Sequence, residues 1–229
     1  DNTLTTRKGA SANIAFVPKD FQVSLSAPPP ARDFYYANEN FSATANARDF
    51  NDTTIANYQG TVSFSGSGLN LPANYTFASS DSGSHTFSGI NGPADATTTL
   101  SLSDTGFTTV TGTSSGITIK SATIRVVSTT GPVGPVNVQV QIVDSQGNII
   151  TSDNSSTFTV TVTEFIKDNS SSSRATSQKV TVSQGVAFIT VSDSQAETVT
   201  ITAASDPLLT VSAGVVRFGT VSGGGVGVQ

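Results

Sequence analysis

Cysteine, methionine and tryptophan are absent from these 229 residues, and histidine occurs once, as His85. Without thiols there is neither a disulfide framework nor cysteine chemistry, and a single imidazole excludes a multi-histidine metal centre. Charge is scarce as well: 12% of residues are Asp, Glu, Lys or Arg, and the formal net charge is -5. Lys and Arg are not clustered, which excludes nucleic acid as a partner, since binding it needs basic patches that displace counterions. Apolar runs extend a few residues only, far short of the roughly 20 that cross a bilayer, so no membrane insertion is expected. No secretory leader is visible, so an exported protein would be represented here in a mature or excised form. Helical signals are almost missing, with no sustained 3.6-period apolar stripe.

What is present is alternation. Phe21–Ser26 (F-Q-V-S-L-S) places Phe21, Val23 and Leu25 on one face, and Phe41–Ala47 alternates Phe and Ala with hydroxyl and amide residues. Alanine at the inward positions there predicts a locally thin core. Thr157–Thr163 (T-F-T-V-T-V-T) is the clearest strand, with Phe158, Val160 and Val162 inward and Thr outward. Further strands are expected at Tyr58–Phe64, His85–Ile90, Thr97–Ser103, Phe107–Thr111, Ser114–Ile119, Thr123–Ser128, Val136–Val143, Lys179–Val182, Gly185–Val191, Thr198–Ala203 and Leu209–Phe218. Ala27–Ala31, with three consecutive prolines, reads as an extended segment that cannot join a ladder, and Gly131–Pro135 as a turn. Lys167–Ser177, rich in Ser, reads as a long mobile loop.

Two stretches resemble known families. Tyr58–Phe64 (Y-Q-G-T-V-S-F), Leu71–Phe77 (L-P-A-N-Y-T-F) and Asp81–Phe87 (D-S-G-S-H-T-F) resemble tandem repeats of large bacterial surface proteins, a likeness covering residues 21–119. The strand Val136–Val143 with D-S-Q-G-N after it, then Q-G-V-A-F-I-T-V and A-G-V-V-R-F, resembles the immunoglobulin-like domains of invasin- and intimin-type adhesins over residues 121–219. The resemblance implies an all-β chain of two tandem immunoglobulin-like β-sandwiches, residues 21–120 and 121–220. An N-terminal extension or donated strand, 1–20, precedes them and a Gly-rich tail, 221–229, follows. It also implies an extracellular or cell-surface setting, with neighbouring domains or copies of the chain as partners.

Candidate sites are few. Asp49, Asn51 and Asp52, and Asp144, Gln146 and Asn148, supply oxygen donors of the kind that hold calcium, although the same residues dominate ordinary turns. Phe34, Tyr35 and Tyr36 would stack on a glycan if exposed, with Tyr35 and Tyr36 as the ligand-binding pair, or belong to a loop that tucks aromatics into the sandwich mouth if not. Ile14, Phe16 and Val17 form the apolar part of a segment that could pair with a neighbour's sheet edge. His85 with Asp81, Ser82 and Ser84 spells a triad on paper, but its place at a strand start favours a structural role. The expected function is non-catalytic: a spacer, adhesin or assembly unit of a surface protein. The alternatives are a filament or surface-layer subunit joined by N-terminal strand exchange, and a carbohydrate-binding accessory module of an exported enzyme.

Overall fold

The computed structural model describes residues 17–29, 31–164, 174–204 and 208–219. Ile14 and Phe16, most of the proposed N-terminal extension and the Gly-rich tail lie outside them. Ten strands belong to the first sandwich: β1 (Asp20–Leu25), β2 (Tyr35–Tyr36), β3 (Phe41–Arg48), β4 (Thr61–Ser65), β5 (Tyr75–Thr76), β6 (Ser84–Ile90), β7 (Ala96–Thr98), β8 (Ser101–Asp104), β9 (Thr111–Thr113) and β10 (Ile117–Lys120). The second holds β11 (Thr123–Val126), β12 (Thr129–Pro132), β13 (Gly134–Val143), β14 (Thr157–Glu164), β15 (Arg174–Thr181), β16 (Val186–Asp193), β17 (Thr198–Ala204), β18 (Thr210–Ser212) and β19 (Gly214–Gly219). The described residues form no α-helix; a 3-10 turn at Ser79–Asp81 is the one helical piece among them.

The two units share a way of starting. β1 pairs antiparallel with β3, and β11 antiparallel with β13; the next short strand then crosses to the opposite layer, where β2 runs parallel to β10 and β12 parallel to β19. Each first sheet continues to a third strand, β6 or β16. The facing layers are β5-β4-β8-β9 with β2-β10-β7 in the first unit and β12-β19-β17-β14-β15 in the second. This is the immunoglobulin-like plan of two packed sheets that share a first strand.

Burial follows the period-two pattern. β3 alternates fully buried Phe41, Ala43, Ala45 and Ala47 with half-exposed residues, and β16 turns Ala187, Ile189 and Val191 inward. The alanine stripe does not leave the first core empty, because aromatic rings occupy the room it makes. Phe21 meets Tyr58 at 5.6 Å between centroids, Tyr58 meets Phe77 at 5.0 Å, and all three belong to one buried cluster with the alanines. Small residues on β3 thus leave room for large flat ones around them, Phe21 on the neighbouring β1 included, as dense packing requires.

Several sequence expectations are corrected. Phe107–Val110 is not strand but a turn closed by the Val110 N–H on the Phe107 carbonyl at 2.8 Å, and Leu209–Phe218 is two strands, β18 and β19, in different sheets. The Ser-rich stretch is not a loop to Ser177: β15 begins at Arg174 and pairs with β14 from Glu164 to Thr157, so hydroxyl-rich residues there serve as an edge strand. Gly131 and Pro132 are not a turn but the end of β12, whose parallel pairing to β19 tolerates a proline at a sheet edge. Thr97–Ser103 is not one strand, since β7 and β8 are separated by Thr99 and Leu100. There the Ser114 hydroxyl accepts the Leu100 N–H at 3.0 Å while the Ser114 N–H donates to the Leu100 carbonyl at 2.8 Å. That side-chain bond carries the ladder across a one-residue change of register.

One glycine fixes how closely β1 lies on β9. A Cβ added at Gly112 would stand 2.2 Å from the Phe21 carbonyl oxygen and 2.6 Å from the Phe21 Cβ, so backbone would have to move. Gly112→Ala is expected to destabilise the chain by about 2 kcal/mol, the cost of overpacking a well-filled core, read as a lower denaturation midpoint with unchanged slope.

Candidate functional site

The residues nominated for calcium take part in hydrogen bonds and ion pairs at their own turns. Asp49 Oδ1 accepts the N–H groups of Asn51 at 2.8 Å and Thr53 at 2.9 Å, and the Asp52 carboxylate pairs with Lys19 at 2.6 Å and Arg48 at 3.4 Å. Asp144 repeats the arrangement: its Oδ1 accepts from Gln146 at 2.9 Å and Asn148 at 2.8 Å, and the Asn148 side-chain amide reaches its other oxygen at 3.3 Å. The hydrogen bond from the Asn148 backbone comes first among the causes that hold the Asp144 carboxyl below its ordinary pKa. These carboxylates cap turns in the way short acidic side chains do. Among the described residues no three of His, Asp and Glu converge as a metal-ligand group.

The two turns are the same turn. In both, the carbonyl of the opening Asp receives an N–H from a residue in the left-handed region, Asp52 (φ 62°) or Gly147 (φ 83°). Ile55 donates to the Ala47 carbonyl at 2.8 Å as Ile150 does to that of Ile142 at 2.9 Å. Tyr58 then donates to the Ile55 carbonyl, and Asp153 to that of Ile150, each at 3.0 Å. Ala47, Asp49, Ile55 and Tyr58 therefore correspond to Ile142, Asp144, Ile150 and Asp153.

His85 is structural in its surroundings. Its Nδ1 lies 3.0 Å from Asp81 Oδ1, its ring lies flat on Tyr75 at 3.9 Å between centroids, and the Tyr75 hydroxyl donates to the other Asp81 oxygen at 2.9 Å. Asp81 is thus the hub of a strand-edge cluster rather than the orienting member of a nucleophilic triad.

The most elaborate side-chain constellation is the joint between the sandwiches. Tyr35 and Tyr36 sit in β2 at 4% and 3% exposure, so neither ring offers a face for stacking on a glycan. Because strand side chains alternate, β2 serves two cores at once. Tyr35 points into the first, stacked on Phe41 at 4.5 Å with its hydroxyl donating to the Ser26 carbonyl. Phe34 and Tyr36 point the other way and join the buried cluster of the second unit, edge to face at 5.1 Å.

Charge closes over these rings. Arg32 lies 4.5 Å above the Tyr36 ring and 5.5 Å from that of Phe34, and its guanidinium makes a two-pronged bond to Glu39 at 2.8 and 3.1 Å. Glu39 also accepts the Tyr36 N–H at 2.7 Å, and Lys120 Nζ stands 4.4 Å from the Phe34 ring. Across the joint, the Tyr36 hydroxyl donates to Asp153, which is wholly buried and accepts the N–H groups of Ser155 at 3.1 Å and Ser156 at 3.0 Å. Burial, and then this bond to Asp153, push the Tyr36 hydroxyl's pKa far above the usual tyrosine value. On the opposite side, Asp95 accepts the Ser121 N–H and the Ser145 hydroxyl, the latter at 2.9 Å. Clefts of about 530 and 510 Å³ flank the joint, one beside Asp95 and Ser145, the other beside Arg32 and Glu39.

Sequence reasoning singled out Phe34, Tyr35 and Tyr36 but not Arg32, Glu39, Asp95 or Asp153. Of the nominated assembly residues only Val17 is described, and it is exposed at 41%.

No protein-family model matches the chain, and no curated protein matches it. Among solved structures, similar ones include the Escherichia coli adhesin FdeC, at 14% identity and a TM-score of 0.49 over 86% of this chain and 63% of that one. The Yersinia pseudotuberculosis adhesin InvE gives 15% and 0.34 over 86% and 58%, and domains 4 and 5 of the S-layer protein SbsC give 16% and 0.33 over 86% and 98%. The chain therefore spans 63% and 58% of the length of the two adhesins. At such identities the likeness concerns shape alone.

Proposed function

We propose that this chain is a non-catalytic structural module of an extracellular surface protein, a spacer whose work is to hold two sandwiches at a fixed angle. The observation that carries the reading is the joint. A simple linker would need no ring in the neighbouring core, whereas here Phe34 and Tyr36 are buried in the second unit while the adjacent Tyr35 is buried in the first. Hinging would have to pull those rings out and break the hydrogen bond to Asp153, so bending is opposed by core-like packing rather than by surface contacts. The surface and extracellular setting rests on the sequence resemblance and on a sparsely charged, hydroxyl-rich sequence.

Small-angle scattering tests it directly. The wild-type profile is expected to fit one fixed arrangement of two lobes, and Arg32→Ala, which unclamps Phe34 and Tyr36 and removes the ion pair of Glu39, is expected to require a spread of angles. A wild-type profile that already needs such a spread overturns the spacer reading.

A further inference from the structure

The joint shows what one end of these sandwiches is built to receive. The pole of the second unit formed by its Asp144 turn seats the end of the first: Ser145 bonds Asp95, Ser152 bonds Lys120 at 3.4 Å, and Asp153 bonds Tyr36. The first unit has the same pole, built on the same turn with the same backbone hydrogen bonds. In it, Phe50 stands where the second unit has Ser145, and it is 84% exposed. Phe107 at 49% and Val17 at 41% belong to the same end, since Pro18 and Phe107 line one cleft with Tyr58 and Lys19 pairs with Asp52 beside Phe50. Three of the five large apolar side chains that the described residues expose thus gather at one pole.

We propose that this pole is a docking surface for a second copy of the chain, which places the far end of its second unit there in the way the first unit sits on the second within one molecule. The occupant follows from continuity with the internal joint. Among the described residues, that joint uses the far end of the first sandwich and the near pole of the second, leaving one near pole, around Phe50, and one far end, around Ser194, to match. The exchange of Ser145 for Phe50 fits the difference between the two cases. The internal joint already has buried rings and the Asp153 bond, so its Ser145 position can be polar, while a joint between separate molecules has no tether and needs exposed apolar area of its own. The interface is heterologous, so repetition yields an end-to-end row rather than a closed dimer. This goes beyond the spacer reading, which stands unchanged if the chain proves monomeric.

Because the chain has no cysteine, cross-linking can be aimed. Full-length Phe50→Cys and Ser194→Cys proteins, both altered at exposed positions, are mixed with a short bismaleimide. A cross-linked dimer is expected in the mixture and not with either protein alone. Sedimentation velocity of the wild type should show concentration-dependent association that Phe50→Ser weakens by about tenfold or more. A strictly monomeric wild type up to about 1 mM overturns the proposal. So does efficient self-cross-linking of the Phe50→Cys protein, which would mean that the poles meet each other.

Discussion

Asp153→Ala is expected to cost about 4 kcal/mol or more, because three donors lose their acceptor together. Asp153 is wholly buried, and its carboxylate receives the Tyr36 hydroxyl and the N–H groups of Ser155 and Ser156. Each buried donor left without a partner costs about 1–3 kcal/mol, and breaking a whole network is among the few mechanisms that reach such totals. Asp153→Asn should lose much less, since its carbonyl oxygen can still take the two N–H groups, although its amide and the Tyr36 hydroxyl must then rearrange. Equilibrium denaturation of both variants checks the ranking, and equal losses would mean that charge rather than acceptor geometry holds the joint. The acid side gives a second check. Burial works to raise the Asp153 pKa, but hydrogen bonds from Ser156, Tyr36 and the Ser155 backbone overcome it and leave the group lowered. Its contribution is therefore complete above the unfolded aspartate value near 4 and is lost as pH falls through the folded one.

That Asp153 helps tie the two units together could not be read from its neighbourhood. Asp153-Asn154-Ser155-Ser156 is ordinary turn composition, and nothing local says that Tyr36 will arrive from 117 positions away. The strands with clean alternation were legible, because in β3, β14 and β16 every second residue meets one core and the code is period two. β2 escaped the code: Phe34-Tyr35-Tyr36 looks like three aromatics in a loop, whereas alternation holds with a different core on each side. The start of β15 was hidden because Arg174–Ser177 continues a serine run and carries one apolar residue, Ala175, as an edge strand can, so it reads as loop while Lys179–Val182 reads as strand. The Asp-rich turns were placed correctly as turns. Their spacing suits both metal ligation and N–H capping, and the hydrogen bonds described there are those of capping.

Raising the pH should dismantle both sandwiches through two tyrosines. The Tyr58 hydroxyl donates to Asp104 at 2.6 Å much as Tyr36 donates to Asp153, and Asp104 in turn accepts the N–H groups of Gly106 and Phe107 at 2.7 and 2.9 Å. Burial first, then the hydrogen bond to a carboxylate, pushes both phenols far above the usual value. A raised pKa stabilises the fold fully below the unfolded value, near 10 for tyrosine, and that stability drains away as pH climbs towards the folded one. In that window the unfolded chain has released the proton and the folded chain has kept it, so each tyrosine removes about 1.4 kcal/mol per pH unit. By pH ~12 the pair subtracts roughly 5 kcal/mol, comparable with the whole stability of many domains. Denaturant unfolding from neutral pH into this range should give a falling line that Tyr58→Phe and Tyr36→Phe each make shallower by about 1.4 kcal/mol per unit. Tyrosinate absorbance from these two rings should rise together with loss of structure and not before it. Parallel lines for wild type and variants would mean that the phenols ionise in place, and the buried tyrosine–aspartate pairs would then not be what holds the proton.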